Sequence, residues 1–194
     1  MTVLLVPGIW NTGQQFDPLR RTLEKGGVGP VRSVDLVPNS GAVPLHELAR
    51  QVASAARRLR DECGSERVDV VGFSMGSLVS RYWIQRDGGR NLVRRFVSIA
   101  GPQRGTLLAF GSSLPGIRDM RPRSSLLRDL AGHDDVWREV ELHCLWTPFD
   151  LMILPARSGV LPGARSVLRF PVLLHRHMIR DRRVIEAVLG ILAR

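Results

Sequence analysis

Gly72-Phe73-Ser74-Met75-Gly76 is the stretch that decides the fold. It follows the apolar run Val68-Asp69-Val70-Val71 and opens the helix-like stretch Ser77-Leu78-Val79-Ser80-Arg81-Tyr82-Trp83-Ile84. A strand, then G-x-S-x-G, then a helix is the context of a nucleophile elbow. There the serine sits on a strained turn, and its hydroxyl points out at the C-terminal edge of a sheet. The two glycines let the strand and the helix pass close together. The plainer alternative is an ordinary tight βα turn carrying an idle serine.

Working outward from that motif, strand and helix patterns alternate along the chain. Strands are predicted at Val3–Val6, Val31–Leu36, Val68–Phe73, Val93–Ala100, Val140–Trp146 and Ser166–Phe170. Helices are predicted at Phe16–Lys25, Leu45–Asp61, Met75–Gln85 and Arg183–Leu192. The second of these begins after Pro44 and repeats Leu45, Leu48, Val52, Ala55, Ala56 and Leu59 at helical period. Alternation of this kind implies an α/β architecture of about six mostly parallel strands, with helices on both faces. Active sites in such sheets lie at the C-terminal strand ends. Residues 101–132 break the pattern, being rich in Gly, Pro, Ser and Arg. A short helix at Ser125–Leu130, capped by Ser124, is expected within them. A connection this long is usually functional or mobile, so a small flap is expected there.

The chain has 194 residues, which favours one domain spanning 1–194. A chain near this length buries about 70% of the surface it exposes when unfolded, so one sizeable core is feasible. The net charge is +10, almost all from arginine, since Lys25 is the only lysine. That charge favours anionic surfaces, so peripheral contact with an anionic membrane is expected. The arginines are scattered, as in Arg20-Arg21, Arg57-Arg58 and Arg182-Arg183, and this reads as a solvated exterior, not a nucleic-acid footprint. Cys63 and Cys144 form no disulfide framework and are expected to be buried thiols; no zinc-ligand spacing occurs. The opening Met1-Thr2-Val3-Leu4-Leu5-Val6-Pro7-Gly8 reads as a first strand and not a signal peptide. No apolar run approaches the length of a membrane span, and the expected location is cytoplasmic.

With these segments read, the chain resembles the small bacterial lipases and esterases of the α/β-hydrolase fold over almost its whole length. Val3–Trp10 resembles the family's opening strand and oxyanion loop, and Gly72–Gly76 matches its elbow. Asp150-Leu151-Met152-Ile153 resembles the segment carrying the triad aspartate, and Leu161–Val167 resembles the final strand before the histidine. Two departures stand out: Pro7-Gly8 replaces the usual His-Gly, and Phe73 stands where histidine is common. The oxyanion loop supplies a backbone N–H, so the first need not remove the hole; the second would tighten the pocket.

The resemblance implies a triad in the chain order serine, acid, histidine. Ser74 is then the nucleophile and Asp150 the acid. Asp134 and Asp135, which precede the fifth strand, read as exposed helix-start acids. Of the five histidines, His46, His133 and His143 fall in a helix, the irregular region and a strand; only His175 and His177 follow the last strand. The family's spacing favours His175 as the base, with His177 as the alternative. The oxyanion hole would use the N–H groups of Met75 and Ile9. Trp10, Asn11 and Phe16 are candidates to line the pocket.

The implied activity is cleavage of carboxylic esters through an acyl-serine intermediate, with no metal or cofactor. The substrate would be a small-molecule or lipid ester; oligomeric state is not legible. Three alternatives stay open: an acyltransferase, a thioesterase on the same triad, and a non-catalytic lipid-binding member of the fold. The little chain left for a cover predicts an open site, short or medium acyl groups, and no strong activation at a lipid interface.

Overall fold

The computed structural model describes residues 2–194. Its centre is a six-stranded sheet: β1 (Val3–Val6), β2 (Val31–Ser33), β3 (Val68–Phe73), β4 (Val93–Ile99), β5 (Glu141–Trp146) and β6 (Ser166–Arg169). The spatial order is β2-β1-β3-β4-β5-β6, and every neighbouring pair is parallel. The helices are α1 (Asp17–Lys25), α2 (Leu45–Glu62), α3 (Met75–Arg86), α4 (Pro115–Asp119), α5 (Ser125–Ala131) and α6 (Arg182–Leu192). None is long and apolar enough to cross a membrane.

Alternation along the strands sorts the core into two layers. Leu4, Val6, Val70, Phe96 and Leu142 point to the face covered by α2 and α3. Val3, Leu5, Val71, Val97 and Leu145 point to the opposite face, covered by α1 and α6. Both faces are therefore dry, which is why β1 reads as an unbroken apolar run and β3 as one interrupted only by Asp69. The apolar stripe of α2 buries Leu45, Leu48, Val52, Ala56 and Leu59. Helix α3 is buried almost all round, and its serines are satisfied internally: Ser77 Oγ donates to the Gly72 carbonyl at 2.6 Å, and Ser80 Oγ to that of Gly76 at 2.7 Å.

The strand and helix boundaries agree with the sequence reading to within one or two residues, apart from β2. That strand stops at Ser33 instead of Leu36. It is an edge strand, and the Asp35 carboxylate accepts a hydrogen bond from the Gly13 N–H at 2.6 Å just beyond it. The helix within 101–132 forms with the expected cap, Ser124 Oγ accepting from the Leu127 N–H at 3.2 Å. Helix α4 has no sequence signal beyond Pro115, since five residues are too few to show a period. Cys144 is buried, whereas Cys63 is partly exposed at the end of α2, contrary to expectation.

Candidate active site

The elbow forms where β3 meets α3. Ser74 takes φ 53° and ψ −126°, a conformation that costs a non-glycine residue about 1–3 kcal/mol. The surroundings hold it there. The Ser74 N–H donates to the Ile99 carbonyl at 2.9 Å, and the Ser74 carbonyl accepts from the Ser77 N–H at 3.0 Å. The flanking glycines are obligatory. A Cβ on Gly72 would lie 2.7 Å from Ser77 Cα, and one on Gly76 would lie 2.3 Å from the Pro7 carbonyl oxygen. Both obstacles are backbone and cannot swing aside.

The loop after β1 reaches the same point. A Cβ on Gly8 would stand 3.0 Å from Ser74 Cβ, so glycine lets this loop lie directly against the serine. The loop is pinned beyond that contact: the Trp10 N–H donates to the Asn39 carbonyl at 3.1 Å, and Asn11 Nδ2 to the Ile9 carbonyl at 2.8 Å. Among the described residues, the N–H groups of Ile9 and Met75 meet no protein acceptor.

Asp150 and His175 come together from the loops after β5 and β6. His175 Nδ1 lies 2.8 Å from Asp150 Oδ2 and 3.0 Å from Oδ1. Asp150 is 3% exposed. Its Oδ1 also accepts from the N–H groups of Met152 and Ile153, each at 2.9 Å. Asp150 therefore both caps the turn and orients the imidazole. The His175 ring packs on Phe73, with centroids 5.0 Å apart. Its Nε2 is buried and has no hydrogen-bond partner among the described residues, Ser74 included. Ser74 and His175 line one cleft. His177, two residues on in the same 3-10 turn, is exposed and outside that cleft.

The site has two lobes meeting at Ser74, Ile9, Trp10 and Met152. One, of about 420 Å³, holds His175 and is walled by Leu151, Leu173 and Leu174. The other, of about 240 Å³, lacks His175 and is walled by Leu108, Ala109, Leu114, Ile117 and Met120 from the 101–132 segment. Trp10 and Asn11 line the site as expected. Phe16 does not: it is 1% exposed and packs in the core beneath α1. Its side chain faces inward because the turn at Gly13–Phe16 delivers it to the apolar layer between β1 and α1. Asp134 pairs with buried Arg81 at 3.1 Å, and Asp135 with Arg90 at 2.9 Å, both remote from the cleft. The sequence reading missed the apolar rim of Leu151, Leu173 and Leu174; an apolar run carries no mark of whether it faces core or solvent.

Comparison with known proteins adds a family and a fold. The sequence model of the family described as palmitoyl protein thioesterase matches residues 2–137. No curated protein matches. Among solved structures, the mature form of a Bacillus licheniformis lipase superposes with a TM-score of 0.83 at 14% identity, covering 98% of this chain and 91% of that one. An Aspergillus fumigatus lipase B superposes with a TM-score of 0.84 at 16% identity, covering 100% of this chain and 52% of that one. A Listeria innocua gene product gives a TM-score of 0.69 at 14% identity, over 97% of this chain and 92% of that one. At such identities these likenesses establish the α/β-hydrolase fold and nothing finer.

Proposed function

This chain belongs to the palmitoyl protein thioesterase family, and from that premise we propose that it is a serine hydrolase cleaving acyl esters through an acyl-serine intermediate. The observation that carries the reading is the buried Asp150–His175 pair lining the same cleft as Ser74 on its strained elbow.

In the proposed cycle Ser74 Oγ attacks the acyl carbonyl while His175 Nε2 takes its proton. The Asp150 carboxylate keeps the proton of the neutral imidazole on Nδ1, leaving Nε2 as the acceptor, and stabilises the imidazolium that forms. The unpartnered Nε2 fits this role, since catalytic hydrogen bonds often tighten only once substrate is bound. The N–H groups of Ile9 and Met75 receive the oxyanion; losing one such donor typically costs about 10²–10³ in rate. His175 then returns its proton to the leaving group, and water attacks the acyl-serine with His175 again as base. Free acid leaves.

The two lobes give the substrate a direction. The leaving group must lie where His175 can protonate it, so it occupies the larger lobe. The acyl chain takes the other lobe. About 240 Å³ is below the usual range of about 300–1,000 Å³ for small-molecule pockets, which favours short or medium acyl chains. Residues 101–132 supply one wall of this lobe.

A thioester substrate is the second reading, and the family match favours it. Sulfur and oxygen leaving groups fit the same triad. Parallel kcat/KM values for butyryl, octanoyl and palmitoyl oxygen esters and thioesters test both points. Preference for butyryl or octanoyl over palmitoyl supports the acyl assignment; a palmitoyl optimum overturns it. The ratio of ester to thioester rates at matched chain length selects the leaving group. Loss of activity in His175→Ala, with His177→Ala active, supports the base.

A further inference from the structure

The 101–132 segment has a second concave surface that the proposed chemistry does not use. Helix α4 turns Ile117 toward the acyl lobe and Arg118 toward a groove of about 510 Å³. Arg118, Arg121, Arg123 and Arg128 line this groove, with Phe110 at its lip. A hollow of about 290 Å³ shares Arg123 and Arg128 and adds Arg104.

These guanidiniums are not equivalent. Arg121 is committed to the fold: its Nε donates to the Ala109 carbonyl at 3.1 Å, its Nη2 to that of Ser112 at 2.8 Å, and it lies over the Phe110 ring at 5.2 Å. Arg118, Arg123 and Arg128 are exposed, and among the described residues they make no ion pair or side-chain hydrogen bond. Arginines nearby on α3 and just after it do find partners: Arg86 with Asp129, and Arg90 with Asp135 and Glu139. The one acid in the groove, Asp119, is turned inward and accepts from the Leu45 N–H at 2.8 Å. Burial pushes its pKa up from the ordinary carboxylate value. Arg123 also holds φ at 60°, an unfavourable backbone for a non-glycine residue.

Next to the cations lies an apolar lip. Leu107 and Phe110 are 55% and 59% exposed, and Leu108 and Leu114, also exposed, border the acyl lobe. Unpaired cations beside solvent-facing apolar side chains make a surface suited to an anionic bilayer. The apolar groups enter the headgroup boundary while the cations meet phosphates. A nucleic acid would use the same cations but leave the lip exposed to water.

We propose that the 107–128 face docks on bilayers containing anionic phospholipid, with Arg118, Arg123 and Arg128 on headgroup phosphates and Leu107 and Phe110 inserted among them. The docked orientation sets the mouth of the acyl lobe against the membrane. The inference is independent of the hydrolytic reading, because binding is measured without turnover.

The test is co-sedimentation with vesicles of phosphatidylcholine alone and of equimolar phosphatidylcholine and phosphatidylglycerol. Binding is expected only to the second, weakening as salt rises. Each arginine near an anionic surface contributes about fivefold in affinity, so Arg118→Gln/Arg123→Gln/Arg128→Gln should lose on the order of a hundredfold. Leu107→Ser/Phe110→Ser should also weaken binding. A thermal melt of the triple variant like that of the wild type shows that it is folded, so its loss of vesicle binding then supports the proposal. Equal binding to both vesicle types, or wild-type binding by the triple variant, overturns it. So does full competition by duplex RNA with no effect of the lip substitutions.

Discussion

Replacing Asp150 by asparagine separates the two jobs of that carboxylate. Oδ1 accepts from the Met152 and Ile153 N–H groups at 2.9 Å, while Oδ2 is the atom nearer His175 Nδ1 at 2.8 Å. In Asp150→Asn the amide oxygen can keep both backbone bonds, which sets the NH₂ group against Nδ1. A donor there forces Nδ1 to accept, moves the ring proton to Nε2, and removes the base from Ser74. A wrong tautomer of this kind costs about 10⁴ in kcat, equivalent to about 5 kcal/mol of barrier. Stability should change little. Asp150→Ala removes the acceptor as well and orphans the buried Ile153 N–H, at about 1–3 kcal/mol. For a chain of this length that lowers Tm by about 2–12 °C. The assay is p-nitrophenyl butyrate turnover beside a thermal melt for each variant. Asp150→Asn with more than a tenth of wild-type kcat refutes the tautomer argument. Equal melting of Asp150→Ala and the wild type refutes the capping role.

Two further predictions concern buried titratable groups outside the site. His143 on β5 is 6% exposed, with Nδ1 2.8 Å from Ser166 Oγ, and burial holds its pKa below the ordinary value. A depressed folded pKa means the unfolded chain takes up the proton first as pH falls. Its contribution to stability is therefore present above about pH 6.5 and is lost as pH drops from there toward the folded value. His143→Gln should flatten the fall in Tm between neutral pH and pH ~5, and an unchanged slope counts against it. The Cys144 thiol is pushed up to about 11 by burial, so a thiol reagent at neutral pH should modify only Cys63 in the native protein, with Cys144 following on unfolding. Rapid native labelling of Cys144, read by peptide mass, contradicts its burial.

The elbow was legible because its backbone leaves little choice. Gly72 and Gly76 face backbone atoms that no side chain could share space with, and a sequence records such constraints directly. The sheet was legible because both faces are covered, so β1 reads as an apolar run and β3 as one broken only by Asp69. The Asp150–His175 pairing came from chain order and resemblance, and the structure brings those two residues together. The family's spacing favoured His175 over His177, and the 3-10 turn, where residues two apart point in different directions, leaves His177 outside the cleft. Phe16 and the apolar rim mark the limit. An aromatic before a helix, or a run such as Leu173-Leu174, carries the same letters whether it faces core or solvent. Only the path of the loop decides, taking Phe16 inward and leaving Leu173 69% exposed.

The central claim is that Ser74 is the nucleophile, and active-site labelling with a fluorophosphonate tests it most directly. The reagent is attacked by an activated serine and stays on it. The prediction is one equivalent of adduct, found by peptide mass spectrometry on the peptide containing Ser74. Ser74→Ala should give no adduct and should lose turnover of p-nitrophenyl butyrate by several orders of magnitude while melting like the wild type. An adduct on another residue, or a Ser74→Ala variant that turns over ester at the wild-type rate, contradicts the account.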